Sequence, residues 1–71
     1  MIKVYTIDCP ACKVLEKKLT QKNLPYEKIT DRNIFTQLNI DTFPVMQIDN
    51  GPLMNYKDSN NWINQQEAIN N

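Results

Sequence analysis

The apolar positions of this chain fall into seven short segments, four typical of strands and three with the spacing of helices. Strands are predicted over residues 2–7, 26–29, 45–48 and 53–56. The first helix is predicted to begin at Pro10, because the first helical position tolerates proline, with Asp8 or Cys9 as its cap. The predicted order is therefore β-α-β-α-β-β-α.

Each predicted helix has an apolar face and recognisable ends. Inward-facing side chains are predicted at Val14, Leu15 and Leu19 in the first helix, at Ile34, Phe35 and Leu38 in the second, and at Trp62, Ile63 and Ile69 in the third. The first helix ends before Pro25, since proline disfavours helix at the residue before it. Thr30 or Asp31 caps the second helix, and Asn39 ends it.

The order of the segments predicts how the strands pair. The first two strands are joined by a helix and should be parallel through a right-handed crossover. The last two form a hairpin across the turn at Asp49-Asn50-Gly51-Pro52. The result is an α/β fold (α+β in some schemes), with a four-stranded mixed sheet and helices on both faces. Its 71 residues have room for one domain, residues 1–71.

Composition and charge exclude several functional classes. Eight basic and eight acidic side chains balance, so the chain lacks the basic excess that nucleic-acid binders usually carry, which disfavours that class. The absence of histidine removes Ser-His and Cys-His triads and most zinc-hydrolase sites. Four lysines give the first helix a basic side, which is either solvated or steers an acidic partner. With only short apolar runs and no signal-like region after Met1, we expect a cytoplasmic protein that does not enter membranes.

The reactive chemistry that remains is Cys9-Pro10-Ala11-Cys12, where the first strand ends and the first helix begins. Reactive crevices of open α/β sheets lie beyond the carboxyl ends of their parallel strands. A helix start carries unpaired N–H groups and a partial positive charge, which lower a thiol pKa below its free value of about 8.5. We expect Cys9 to be the exposed nucleophile and Cys12 to resolve the mixed disulfide, with Pro10 fixing the backbone between them.

Two other interpretations of the cysteines stay open. Cys9 and Cys12 could be buried thiols or an incidental bridge, although a bridge across four residues contributes only about 2 kcal/mol by the loop-entropy formula. The pair could also be half of a zinc or iron-sulfur site that a dimer completes. We expect neither, but a monomer without bound metal or prosthetic group, since the dithiol itself is a redox couple.

In these motifs the sequence resembles the glutaredoxin branch of the thioredoxin-like superfamily. The matching features are Tyr5-Thr6, Cys9-Pro10-Ala11-Cys12-Lys13 and, about thirty residues on, Thr42-Phe43-Pro44-Val45. The resemblance covers nearly the whole chain and implies a thioredoxin-like fold and thiol-disulfide oxidoreductase activity. It also implies that Pro44 follows a cis peptide bond and that Thr42, Phe43 and Pro44 shape the substrate groove.

The segment before the last helix differs from glutathione-binding members, which have a Gly-Gly pair, a small residue and an aspartate. Here it is Lys57-Asp58-Ser59-Asn60, in which Asp58 and Ser59 either line a substrate site or cap the last helix. The difference favours the redoxins that donate electrons to ribonucleotide reductase and receive them from thioredoxin reductase, an NADPH-dependent flavoprotein. The alternative is a glutaredoxin that glutathione reduces.

The residues before the first cysteine also differ from the family. Many glutaredoxins have a lysine there, whereas this chain has Ile7-Asp8. The Asp8 carboxylate opposes a Cys9 thiolate, while the helix start and Lys13 favour it. The sequence alone leaves the balance of these charges open.

Overall fold

A computed structural model of the chain describes residues 1–66. Its elements are β1 (Ile2–Tyr5), α1 (Pro10–Gln21), β2 (Tyr26–Ile29), α2 (Arg32–Gln37), β3 (Val45–Ile48), β4 (Leu53–Met54) and α3 (Tyr56–Gln65). The predicted order β-α-β-α-β-β-α is confirmed. Ile69, which the sequence assigned to the last helix, lies outside the described residues.

The strands of residues 1–66 form one mixed sheet of four, in the order β2-β1-β3-β4. β1 runs parallel to β2 and antiparallel to β3, and β3 and β4 form the antiparallel hairpin. At the end of β1, Tyr5 lies opposite Ile29 on one side and Val45 on the other. The parallel first pair, the hairpin and the mixed sheet of the sequence prediction are therefore confirmed.

Two apolar clusters lie on opposite faces of the sheet, because successive strand side chains point to opposite faces. The larger cluster joins Ile2 and Val4 of β1 to Leu15 and Leu19 of α1, Met46 of β3 and Ile63 of α3. The smaller cluster joins Tyr5 and Val45 to Phe35 of α2. Helices α1 and α3 thus cover one face and α2 covers the other, as predicted.

The starts of the first two helices agree with the sequence prediction. Cys9 is the N-cap of α1, and Asp31 is the N-cap of α2, where its carboxylate accepts the N–H of Asn33 at 2.8 Å. Asn39 follows the end of α2 in the left-handed region, with φ of 57°. No helix within residues 1–66 is both long enough and apolar enough to cross a membrane.

The start of α3 corrects the sequence prediction. β4 stops at Met54, and the side chain of Asn55 accepts the N–H of Asp58 at 2.8 Å as the N-cap. The prediction that Asp58-Ser59 caps this helix was wrong, and Tyr56, assigned to the last strand, is the first helical residue. Asparagine is as favourable an N-cap as aspartate or serine. The Asp58 carboxylate lies in the first turn, where the positive end of the helix dipole stabilises it.

Two apolar side chains predicted to face inward lie at the surface. Val14 is 43% exposed, because one residue along a helix is about 100° of rotation and the buried face is centred on Cys12, Leu15 and Leu19. Leu38 is 41% exposed and lies just beyond the last helical residue, Gln37, as the C-cap of α2.

Candidate functional site

The two cysteines lie where the chain leaves the carboxyl end of β1 and enters α1. Thr6 is fully buried, and its hydroxyl accepts the backbone N–H of Asp8 at 3.1 Å. Asp8 has φ of 59°, in the left-handed region that aspartate tolerates better than most residues. This turn accounts for β1 ending at Tyr5 and not at residue 7 as predicted, and it brings Cys9 to the cap of α1.

Cys9 has the geometry of a helix cap. Its Sγ accepts the backbone N–H of Cys12 at 3.1 Å, and its carbonyl oxygen accepts the N–H of Lys13 at 3.0 Å. Pro10 occupies the first helical turn, where its missing N–H leaves no intrahelical bond unmade. The Cys9 sulfur therefore lies among the unpaired N–H groups and at the positive end of the helix dipole, which stabilise negative charge.

The two sulfurs lie at disulfide distance, with the Cα atoms of Cys9 and Cys12 4.9 Å apart. Their exposures differ: Cys9 is half-buried, whereas Cys12 has no exposed surface. Cys9 therefore has surface that a molecule in solution can contact, whereas Cys12 has none. The sequence predicted the same difference, with the first cysteine exposed and the second covered.

An ion pair lies beside the cysteine loop. The Lys28 ammonium on β2 is 2.7 Å from Asp8 Oδ1 and 3.6 Å from Glu16 Oε1 of α1. The hydrogen bond and the charge of Lys28 hold the pKa of Asp8 below its ordinary value, and Lys13 adds to this lowering. The same hydrogen bond from Lys28 to Asp8 raises the pKa of Lys28, to which the Glu16 charge also contributes.

Pro44 lies at the same end of β1 as the cysteine loop. Since Val45 is opposite Tyr5 in the antiparallel register, Pro44 falls beside Thr6. Pro44 is fully buried, and the Phe43–Pro44 peptide bond is cis, as the family resemblance implied.

The other two residues of this motif have different surroundings. Thr42 is exposed, while Phe43 is half-buried and its ring meets that of Phe35 edge to face, with centroids 4.7 Å apart. Phe43 therefore packs on the smaller core cluster. Thr42 is the member of the motif whose side chain is open to solvent.

Asp58 and Ser59, the two candidate site residues at the start of α3, also differ in exposure. Ser59 is fully buried, and its hydroxyl donates to the carbonyl oxygen of Met54 at 3.2 Å. Asp58 is exposed in the first turn. The serine hydroxyl is thus used inside the fold, and the aspartate carboxylate lies at the surface.

An open groove of about 190 Å³ lies beside Thr42. Its lining includes Asp41, Asn55, Val45 and Leu53, so it runs between the segment before β3 and the end of β4. Neither cysteine lines it. Within residues 1–66, no three histidine, cysteine, aspartate or glutamate side chains come together as a set of metal ligands.

Sequence reasoning missed two residues that shape this region, Lys28 and Asn55. Lys28 is separated from Asp8 by the whole of α1, and only the parallel pairing of β1 with β2 brings them together. The signal for Asn55 was present, because asparagine before a polar helical turn is a favoured cap, but the segment was assigned to a strand.

No family model matches the chain, and no curated protein or solved structure matches it at a significant level.

Proposed function

We propose that this protein is a thiol-disulfide oxidoreductase of thioredoxin-like fold, in which the Cys9-Cys12 dithiol reduces protein or mixed disulfides. The observation that carries the proposal is the cysteine pair at disulfide distance, at the start of α1, with Cys9 partly exposed and Cys12 buried. The element order and the mixed sheet support it, since the resemblance to the glutaredoxin branch implies both.

The proposed reaction is two successive thiol-disulfide exchanges. The Cys9 thiolate attacks one sulfur of a substrate disulfide, forms a mixed disulfide with it, and releases the other substrate sulfur as a thiolate. The Cys12 thiolate then attacks Cys9 Sγ, forms the Cys9–Cys12 disulfide, and releases the second substrate thiolate. Two electrons pass from the dithiol to the substrate, and the released thiolates take up protons from water.

The residues of the site support these roles through their positions. The Cys12 N–H and the dipole of α1 stabilise negative charge on Cys9 Sγ, which favours the attacking thiolate. Cys12, buried one turn further along, reaches Cys9 but not a molecule in solution. Thr42, Phe43 and Pro44 form the proposed substrate groove. Asp58, exposed at the start of α3, is a further candidate, whereas the buried Ser59 hydroxyl is not.

A complete cycle needs an external donor of two electrons. The segment at Lys57-Asp58-Ser59 has no glycine, so the Gly-Gly pair of glutathione-binding glutaredoxins is missing. We therefore propose thioredoxin reductase, fed by NADPH, as the donor and a disulfide-containing protein such as ribonucleotide reductase as the acceptor. The alternative donor is glutathione. In either case the protein acts as a cytoplasmic monomer that carries electrons without a bound cofactor.

The test is turnover of a small mixed disulfide with each donor system, followed as NADPH consumption. One reaction contains thioredoxin reductase, the other glutathione with glutathione reductase, and Cys9→Ser is the control in both. Turnover with thioredoxin reductase that requires Cys9 is the expected result. Turnover only in the glutathione reaction would support the oxidoreductase activity and make glutathione the electron donor. No turnover in either reaction would overturn the proposal.

A further inference from the structure

The carboxylate that precedes Cys9 is paired with a cation from another element. Lys28 lies opposite Val4 in the parallel register of β1 and β2, one position before both strands end. From there its ammonium reaches Asp8 Oδ1 at 2.7 Å. The negative charge beside Cys9 is therefore matched by a positive charge at hydrogen-bond distance.

Lys28 is held from a second side as well. Glu16 follows Cys12 by one helical turn and lies 3.6 Å from the same ammonium. Its side chain is only 14% exposed, so this carboxylate lies against the fold and not in bulk solvent. Lys28 thus links the loop that carries Cys9 to the helix that carries Cys12.

We propose that Lys28 is a positioning residue for the thiol-disulfide reaction: it neutralises Asp8 and ties the loop before Cys9 to α1, so that the Cys9 sulfur stays reactive at the helix start. The inference rests on the proposed function, since it concerns the reactivity of the proposed nucleophile. The charged groups that the structure places around this ammonium are Asp8 on the loop and Glu16 on α1, and Lys13 of α1 also acts on the Asp8 carboxylate.

The experiment measures the pH midpoint of Cys9 alkylation by iodoacetamide in reduced protein that carries Cys12→Ser, so that one thiol reacts. Lys28→Gln is expected to raise the midpoint by about half a pH unit, the size of effect that one unit charge has across several ångströms of a water-like dielectric. Lys28→Arg should keep the original midpoint, because it retains the charge. The matched control is Lys17→Gln, which removes an exposed lysine from α1 and should leave the midpoint unchanged.

The double variant Asp8→Asn/Lys28→Gln separates pairing from a general structural effect. The double variant also removes the Asp8 carboxylate, so the loss of Lys28 leaves no unneutralised negative charge beside Cys9. The midpoint should therefore return close to that of the parent. The rise in Lys28→Gln should also shrink in 1 M salt, where the Debye length is only about 3 Å. A folded Lys28→Gln variant with an unchanged midpoint, or a double variant with the full rise, would overturn the inference.

A second variant keeps the test decisive if Lys28→Gln does not fold. Asp8→Asn leaves Lys28 without its partner carboxylate and should lower the midpoint by a similar amount, and no lowering would also count against the inference. Alkylation needs neither substrate nor electron donor. A parent protein that reduces no disulfide would therefore end the proposed function and still leave the role of Lys28 in thiol reactivity open to measurement.

Discussion

Lys22, the C-cap of α1, donates a hydrogen bond from its ammonium to the backbone carbonyl of Ile63 in α3, with 2.7 Å between nitrogen and oxygen. It donates another to the carbonyl of Gln66 at 2.6 Å. Carbonyl groups in the last turn of a helix lie at the negative end of its dipole, and the Ile63 carbonyl here also accepts the N–H of Gln66 at 3.1 Å. Lys22 therefore caps α3, and Lys18 adds a hydrogen bond to Asn60. Part of the basic side of α1 holds the fold together instead of facing solvent.

We predict that Lys22→Met lowers the free energy of unfolding by about 1–2 kcal/mol, because two carbonyl groups lose a charged donor at a helix end. Urea unfolding measures the difference. Lys17→Met is the control, since Lys17 is an exposed lysine on the same helix. Equal losses in the two variants would mean that the contacts of Lys22 with α3 contribute nothing to stability.

Asn55→Ala should destabilise the protein by about 1 kcal/mol, the usual cost of removing a side-chain cap. The N–H of Asp58 then loses its acceptor at the start of α3. Asn55→Asp retains an acceptor oxygen and should stay close to the parent protein. Thermal and urea unfolding of the three proteins provide the measurement, and an alanine variant as stable as the aspartate variant would contradict the assigned cap.

The two cysteines should give different products when each is replaced. Cys12→Ser leaves a nucleophile without a resolving thiol, so incubation with a substrate disulfide should trap a mixed disulfide on Cys9 that mass spectrometry detects. Cys9→Ser should trap none, because the Cys12 sulfur has no exposed surface. A mixed disulfide that accumulates in Cys9→Ser and not in Cys12→Ser would reverse the proposed roles.

The Asp8–Lys28 pair should stabilise the folded protein within a defined pH range. Lys28 lowers the pKa of Asp8 in the folded state, so this contribution is present above the unfolded value of about 3.9 and is lost as the pH falls through the lower folded value. The raised pKa of Lys28 means that its contribution is present below about 10.4 and is lost as the pH rises through the higher folded value.

The measurement is the difference in urea unfolding free energy between the parent protein and Asp8→Asn, taken at pH 6 and again at pH 3. We expect the parent's advantage at pH 6 to diminish at pH 3. Asp41→Asn removes an exposed carboxylate before β3 and controls for the loss of one surface charge. An advantage that stays constant between the two pH values would show that Asp8 acts without its charge.

Local signals predicted much of this protein, because they depend on residues close together in the chain. Pro10 and the polar residues before it set the start of α1, Asp31 the start of α2, and Asn39 the end of α2. The prediction failed where a local signal was ambiguous, as at Asn55, which suits both a strand end and a helix cap. It failed again at Val14, whose apolar character says nothing about its angle around the helix.

The order of the elements and the place of Cys9 and Cys12 at the junction of strand and helix were predictable from the sequence, since both follow from the short-range spacing of apolar residues, prolines and caps. Which charges surround that junction depends on how the elements pack in three dimensions. Lys28 reaches Asp8 because two strands pair in parallel, and Lys22 reaches Ile63 because two helices share one face of the sheet. Such contacts join residues distant in the chain, and they depend on strand register and helix packing, which local propensity does not specify.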